Sequence, residues 1–275
     1  MNARRLVVTW LAAIGLAAVM ATIPVLLADH ATRAQRTDIM VIGSSLMAYA
    51  VPVSGHGATS LLGDQRSHRR VAERRMTETS LLNALDLAIA QHSFLVLLEA
   101  NPLLVDFGDQ SRRRSCDGIQ HMIRNTIAAE RRRVPEAFRT LFQLPLVYSF
   151  SSDPPNLASK HVISPTIIRE LYPLTIRAPC DEPRLEAAVA RAKAQGTQVV
   201  LVLPPRSPDA DRLLGPMVTS ELGRRVQELA DRLGIDVFAA EGPWPNAEFV
   251  DTAHLNIIGR GHFRRALRQW WASRQ

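Results

Sequence analysis

In the stretch DIMVIGSSLMAYA, Asp38 to Ala50, the hydrophobic rhythm changes at a single glycine. Before Gly43, Ile39-Met40-Val41-Ile42 is a short, continuous apolar run, the pattern of a strand buried on both faces. After it, Ser44 to Ala50 has the composition of a helix start. A glycine at that junction allows the sharp turn that lifts the next side chain to the upper edge of a sheet. The helix start offers backbone N–H groups that have no intrahelical acceptor. A serine there is placed as a nucleophile, provided that a base reaches it. Ser-Ser before a helix is equally an ordinary N-cap, so the stretch needs partners elsewhere in the chain.

Working outward, the same alternation recurs. Leu81 to Ala90 has helical periodicity and leads to a second buried strand, Phe94 to Leu98 (FLVLL). A helix over Arg184 to Gln195 is ended by Gly196, the residue that helix C-termini prefer. The strand Gln198 to Leu203 follows and is stopped by Pro204-Pro205. Ser220 to Leu233 reads as a helix, Asp236 to Phe238 as a short strand, and a last helix begins near Asn256. Pro52 to His68, rich in Gly, Ser and His, reads as a loop. Between about 109 and 180 the rhythm degrades into charged helical pieces and a Ser/Pro-rich break, read as an insertion over the sheet. Continuous apolar strands alternating with amphipathic helices predict an α/β fold with a parallel sheet covered on both faces. In such sheets ligands bind outside the carboxyl ends of the strands.

The N-terminus carries a separate signal. Leu6 to Ala28 contains no charged residue, and at 1.5 Å per residue it is long enough to span a hydrocarbon core of about 30 Å. Arg4 and Arg5 precede it, which by the positive-inside rule keeps the N-terminus cytoplasmic and exports everything from Asp29 onward. A cleaved signal peptide is the competing reading, with Leu26-Leu27-Ala28 as its cleavage site, and it exports the same domain. The expected organisation is therefore an anchor or signal over 1–28, a linker over 29–37 and one catalytic domain over 38–275, carrying the insertion at 109–180. Cys116 and Cys180 could pair in an oxidising envelope, and two buried thiols are the alternative.

Apolar residues make up 47% of the 275-residue chain, which suffices for a sizeable core and argues against wholesale disorder. No repeat with a period of roughly 20–50 residues is present, which excludes solenoids and propellers. The net charge is +7, carried almost wholly by arginine. The arginines lie in scattered pairs and triplets without interleaved aromatics, a pattern that argues against nucleic-acid binding. A positive face toward anionic lipid or an acidic glycan is the better use of that charge. The histidines His56, His68, His121 and His161 show no metal-ligand spacing, and no phosphate-cradling loop is present, so neither metal nor cofactor is expected.

Two further groups fall where strands end. In Asp251-Thr252-Ala253-His254, an acid three residues before a histidine can present both side chains from one short loop. The acid then orients the imidazole, and the imidazole takes a serine proton; a helix cap beside a surface histidine is the alternative. Asn101, in Glu99-Ala100-Asn101-Pro102 after the FLVLL strand, can donate its amide to an oxyanion, though Asn-Pro is also a common turn opener. Pro204-Pro205-Arg206 is read as a strand terminator that can line a site, and His262 as a surface residue.

The order Gly43-Ser44-Ser45-Leu46, then Asn101, then Asp251-x-x-His254 resembles the SGNH (GDSL-like) hydrolase superfamily. The resemblance covers roughly residues 38–107 and 195–270. It implies a three-layer α/β/α, flavodoxin-like fold, with Ser45 as nucleophile, Asp251 and His254 as its base, and an oxyanion hole from Ser45 and Asn101. Two departures stand out. That family takes a second oxyanion donor from a glycine, and the matching stretch, Arg75 to Ser80, has none. Its third block reads Gly-x-Asn-Asp where this chain has Glu99-Ala100-Asn101-Pro102. Gly-Ser-Ser, the Asp-x-x-His-Leu-Asn ending and the single anchor are most similar to envelope proteins that modify secreted polymers, those of alginate and bacterial cellulose acetylation and of teichoic acid D-alanylation. The implied activity is transfer or hydrolysis of acyl, chiefly acetyl, groups on an exopolysaccharide. The implied setting is the periplasmic face of a bacterial inner membrane, beside a membrane-bound O-acyltransferase or a polysaccharide synthase complex. A broad lipase or thioesterase and a non-catalytic polysaccharide-binding scaffold are the alternatives.

Overall fold

A computed structural model describes residues 37–55, 60–74, 76–107, 152–154, 157–158, 174–240 and 244–275. The expected membrane anchor at Leu6 to Ala28, the linker except for Thr37, Cys116 and most of the expected insertion lie outside the described residues. Among the described residues no helix is long and apolar enough to cross a membrane.

Six strands form one sheet. β1 (Ile39–Gly43) and β4 (Leu95–Glu99) are its centre, and every residue of both is buried. β3 (His68–Ala72) lies on the other side of β1, and β7 (Gln198–Leu203) and β8 (Asp236–Ala239) extend the sheet beyond β4. All of these pairs are parallel; only β2 (Ser54–Gly55), at the outer edge against β3, runs antiparallel. The parallel order β3-β1-β4-β7-β8 is the flavodoxin-like one, whose direction of winding reverses between β1 and β4. A separate two-stranded ribbon pairs β5 (Val105–Phe107) with β6 (Leu174–Ile176).

Side chains alternate across a strand, so each central strand feeds two cores. Met40, Ile42, Val96, Leu98, Val199 and Leu201 face one layer. That layer is α2 (Glu78–Ala90), α4 (Glu182–Ala194) and α6 (Pro216–Leu233). Ile39, Val41, Leu95, Leu97, Val200 and Val202 face the other, built on α1 (Ser45–Ala50) and α7 (Ile257–Ala272). The short helices α3 (Asn101–Leu104) and α5 (Pro208–Leu214) follow β4 and β7 directly.

The helix starts obey local chemistry. Thr77 accepts from the Ser80 N–H at the start of α2, and Asp181 accepts from the Arg184 N–H at the start of α4. Asn256 accepts from the Ile258 and Gly259 N–H groups at the start of α7. Gly234 ends α6 in the left-handed conformation, φ 61°.

The sequence reading assigns no strand to 68–72, and the structure places β3 there. The reason is polar content: His68-Arg69-Arg70 does not read as a buried strand, yet His68 and Arg70 are buried. Burial pushes the His68 imidazole down to about 4. A smaller shift occurs in β4, which runs to Glu99 and so includes a carboxylate that the apolar run FLVLL leaves out.

Candidate active site

The winding reverses between β1 and β4, where a fold of this kind places its ligand site, and the predicted site residues come together at the carboxyl ends of those strands. Ser45 is the first residue of α1, directly after β1; Asn101 is the first residue of α3, directly after β4. Asp251 and His254 lie in the loop before α7. Bridge pairing of Phe249 with Leu255 pinches that loop shut, and the Val250 N–H donates to the His254 carbonyl at 2.8 Å. Both bridge residues are buried in the α1/α7 core, which fixes the loop to the sheet.

Within the loop, one carboxylate organises everything. Asp251 Oδ1 accepts from the Ala253 N–H at 2.8 Å and the His254 N–H at 2.7 Å. Its Oδ2 accepts from His254 Nδ1 at 2.7 Å, which leaves Nε2 as the acceptor for the Ser45 hydroxyl at 2.9 Å. Burial alone would raise the Asp251 carboxyl. The hydrogen bond and charge of His254 and the two backbone N–H groups outweigh it and hold the group below its ordinary value. Tyr49, from α1, lays its ring 4.6 Å from the imidazole at 47°. Its phenol is pushed up, first by burial and then by Asp251.

On the other side of Ser45 stands a second carboxylate that the sequence reading gives no role. Glu99, fully buried at the end of β4, accepts from the Ser44 N–H at 2.5 Å and the Ser44 hydroxyl at 2.8 Å. It also accepts from Asn101 Nδ2 at 3.1 Å. Burial pushes the Glu99 carboxyl up, against the pull of these donors and of His254. Ser44 in turn is the N-cap of α1, accepting from the Leu46 N–H at 3.2 Å. Gly43 is required here for room rather than for its φ. A Cβ on it would lie 2.5 Å from Glu99 Oε2 and 2.4 Å from Met47 Cγ.

The far end of α1 is held by two arginines. Arg70, from β3, donates to the Ala48 carbonyl at 2.7 Å and also to the Val51 carbonyl. Arg260, from α7, donates to the Ala48 and Tyr49 carbonyls, each at 3.0 Å. Asp153 takes both guanidinium groups, at 3.3 Å and 2.9 Å. Burial pulls Arg70 down to about 10 in spite of Asp153. The Asn101 turn has its own arginine: Arg177 donates to the Pro102 and Leu103 carbonyls at 2.8 Å and 2.7 Å. It also pairs with Glu78 and Asp106.

The missing glycine donor has a structural counterpart. The backbone leaving β3 next to Gly43 is Glu73-Arg74, not the stretch from Arg75 to Ser80. The Glu73 N–H there donates to the Gly43 carbonyl at 3.1 Å. Asn101 Nδ2 and the Ser45 N–H, at the starts of α3 and α1, are the candidate donors to an oxyanion.

His262 is not a plain surface residue. It is half-buried, stacked on Trp244 at 4.1 Å, and bonded through Nδ1 to Glu248 at 2.8 Å. Pro204-Pro205-Arg206 lines an open cavity of about 670 Å³ with Trp244, Pro216 and Thr219; Ser45, Asn101, Asp251 and His254 do not line it. The next residue, Ser207, donates its hydroxyl to the Thr252 carbonyl at 2.6 Å and so braces the Asp251–His254 loop. Cys180 is disulfide-bonded. Among the described residues no group of three or more His, Cys, Asp or Glu could hold a metal ion.

No family model and no curated protein matches the chain. Among solved structures it is similar to a candidate acylhydrolase from Bacteroides fragilis, at 11% identity and a TM-score of 0.45, covering 88% of this chain and 93% of that one. A GDSL-like lipase from Bacteroides thetaiotaomicron is similar at 10% identity and 0.43, covering 86% and 88%. A variant of Axe2, an acetyl-xylooligosaccharide esterase from Geobacillus stearothermophilus, is similar at 13% identity and 0.43, covering 84% and 92%.

Proposed function

We propose that the chain is a serine acyl-hydrolase or acyltransferase of the SGNH type. The observation that carries this is the unbroken line from the Ser45 hydroxyl through His254 to Asp251, at 2.9 Å and 2.7 Å, at the carboxyl edge of a parallel sheet. His254 Nε2 takes the Ser45 proton as Oγ attacks an ester carbonyl, and Asp251 stabilises the imidazolium that results. The carbonyl oxygen becomes an oxyanion beside Asn101 Nδ2 and the Ser45 N–H. His254 then returns the proton to the departing alkoxide, leaving an acyl-Ser45 ester. Water or a sugar hydroxyl, deprotonated by the same imidazole, releases the acyl group and regenerates Ser45.

The substrate side of the reading is an acetylated or otherwise acylated exopolysaccharide, such as bacterial cellulose or alginate, met at the periplasmic face of the inner membrane. The uncharged run Leu6 to Ala28 behind Arg4-Arg5 supports the tether, and the positive net charge suits an acidic polymer or anionic lipid. A membrane-bound O-acyltransferase or polysaccharide synthase is the partner that this placement calls for.

The test is labelling of the full chain with a fluorophosphonate, beside Ser45→Ala and Ser44→Ala. The expected result is labelling in wild type and Ser44→Ala and none in Ser45→Ala, with turnover of short-chain esters down about 10⁴-fold or more. Equal labelling of Ser45→Ala and wild type would remove the nucleophile assignment. A folded wild type that neither labels nor turns over esters would leave the non-catalytic scaffold. A preference for long acyl chains would move the substrate from glycan to lipid.

A further inference from the structure

Glu99 is the only residue of β1 or β4 that carries a charged group, and it is fully buried. It stands on the strand face of Leu95 and Leu97, which is the side of the sheet where α1 packs. An apolar residue in that place would continue the core without any desolvation penalty, so a buried acid there calls for a specific account. Its hydrogen bonds supply one. Both of its oxygens are engaged, and the three donors come from two strand ends: two from Ser44, the residue before Ser45, and one from Asn101.

We propose that Glu99 is a positioning residue of the oxyanion hole, fixing which end of the Asn101 amide faces the reacting carbonyl and holding Ser44, the residue directly ahead of the Ser45 N–H, in register with it. This rests on the acyl-transfer reading above. The physical need is plain. A side-chain amide is nearly symmetric in shape and can turn its oxygen or its nitrogen outward. Only the nitrogen stabilises an oxyanion. Glu99 Oε1 accepts one Nδ2 hydrogen, which puts the Asn101 nitrogen on the Glu99 side and leaves its second hydrogen for substrate. The same carboxylate takes the N–H and the hydroxyl of Ser44, one residue ahead of the Ser45 N–H, so a single buried group stands behind both donors. Gly43 makes the room for it, since any larger residue there would meet Glu99 Oε2.

Glu99→Gln keeps the shape and alters the donors. With the oxygen of the new amide kept toward the Ser44 N–H, its NH₂ faces the Asn101 NH₂, and the Asn101 amide turns its oxygen toward the substituted side chain instead. The expected result is a kcat about 10²-fold lower with little change in KM, the scale of losing one oxyanion donor. Asn101→Ala should give a similar loss, and the double variant should be no worse than Asn101→Ala alone. A Glu99→Gln enzyme with wild-type kcat, or losses that multiply in the double variant, would overturn the proposal. An activity-independent readout separates it from the reading on which it rests. The Asn101 side-chain amide, assigned by NMR through its absence in Asn101→Ala, should show one proton displaced downfield in wild type and restored in Glu99→Gln. An undisplaced amide in wild type would overturn the proposal even if Glu99→Gln did not fold. A displaced amide in a protein without turnover would leave the positioning intact and remove the enzyme reading alone.

Discussion

The Asp251–His254 loop and the Ser44–Glu99–Asn101 cluster both reach Ser45, and each is organised by one carboxylate, but they are built by opposite means. In the loop, the hydrogen bonds to Asp251 among the described residues all come from within three residues of it, and a local bridge closes the turn. In the cluster, Glu99 reaches 55 residues back along the chain to Ser44, across two parallel strands. The hydrogen bonds of the loop join neighbours in sequence and need no strand pairing. The cluster exists only once β1 and β4 are paired in register. Their carboxyl groups are also shifted in opposite directions, Asp251 down by its donors and Glu99 up by burial.

Breaking the loop should have the largest effect. Asp251→Asn keeps the shape but no longer favours the Nδ1–H tautomer or the imidazolium, and kcat should fall about 10⁴-fold with the fold retained, as followed by circular dichroism. Breaking the cluster from outside is next. Gly43→Ala forces a methyl group against Met47 and Glu99, and chemical denaturation should show a loss of about 1–3 kcal/mol together with reduced fluorophosphonate labelling. The smallest effect sharpens the contrast through pH. A carboxyl held low contributes stability above its unfolded value that is lost as pH falls, so Asp251→Asn should flatten the acid limb of a stability–pH curve. A carboxyl held high contributes stability at low pH that is lost as pH rises through its folded value, so Glu99→Gln should flatten the opposite limb. His68, pushed down to about 4, adds its own loss as pH falls from about 6.5 toward that value, and each variant is therefore read as a difference from wild type. Equal changes of slope in the two variants would erase the distinction.

The same contrast explains what can be read from the sequence. Asp251 and His254 are legible because their spacing is their geometry. Ser45 and Asn101 are legible because each follows an apolar run that announces a strand end. Glu99 enters the sequence reading only as a departure from a family pattern, yet it and Ser44 make a reciprocal pair. The resembled pattern puts its acid beside the nucleophile and its glycine at the neighbouring strand end; here serine and glutamate stand in those two places. That signal needs two positions read together. β3 is not legible at all, because His68 and Arg70 look like surface residues until Arg70 is seen to serve the carbonyls of α1. The brace from Ser207 to Thr252 is equally invisible, since it joins segments 45 residues apart through a hydroxyl and a backbone carbonyl.

The two guanidinium groups at the end of α1 have a consequence for heat. The helix that carries Ser45 is six residues long, and its terminal carbonyls at Ala48, Tyr49 and Val51 are answered by charge rather than by another turn. The penalty for keeping charge out of water shrinks as temperature rises, while the stabilisation from apolar burial levels off. On warming, the hold on the helix that begins with Ser45 therefore gains weight relative to the cores on either side of the sheet.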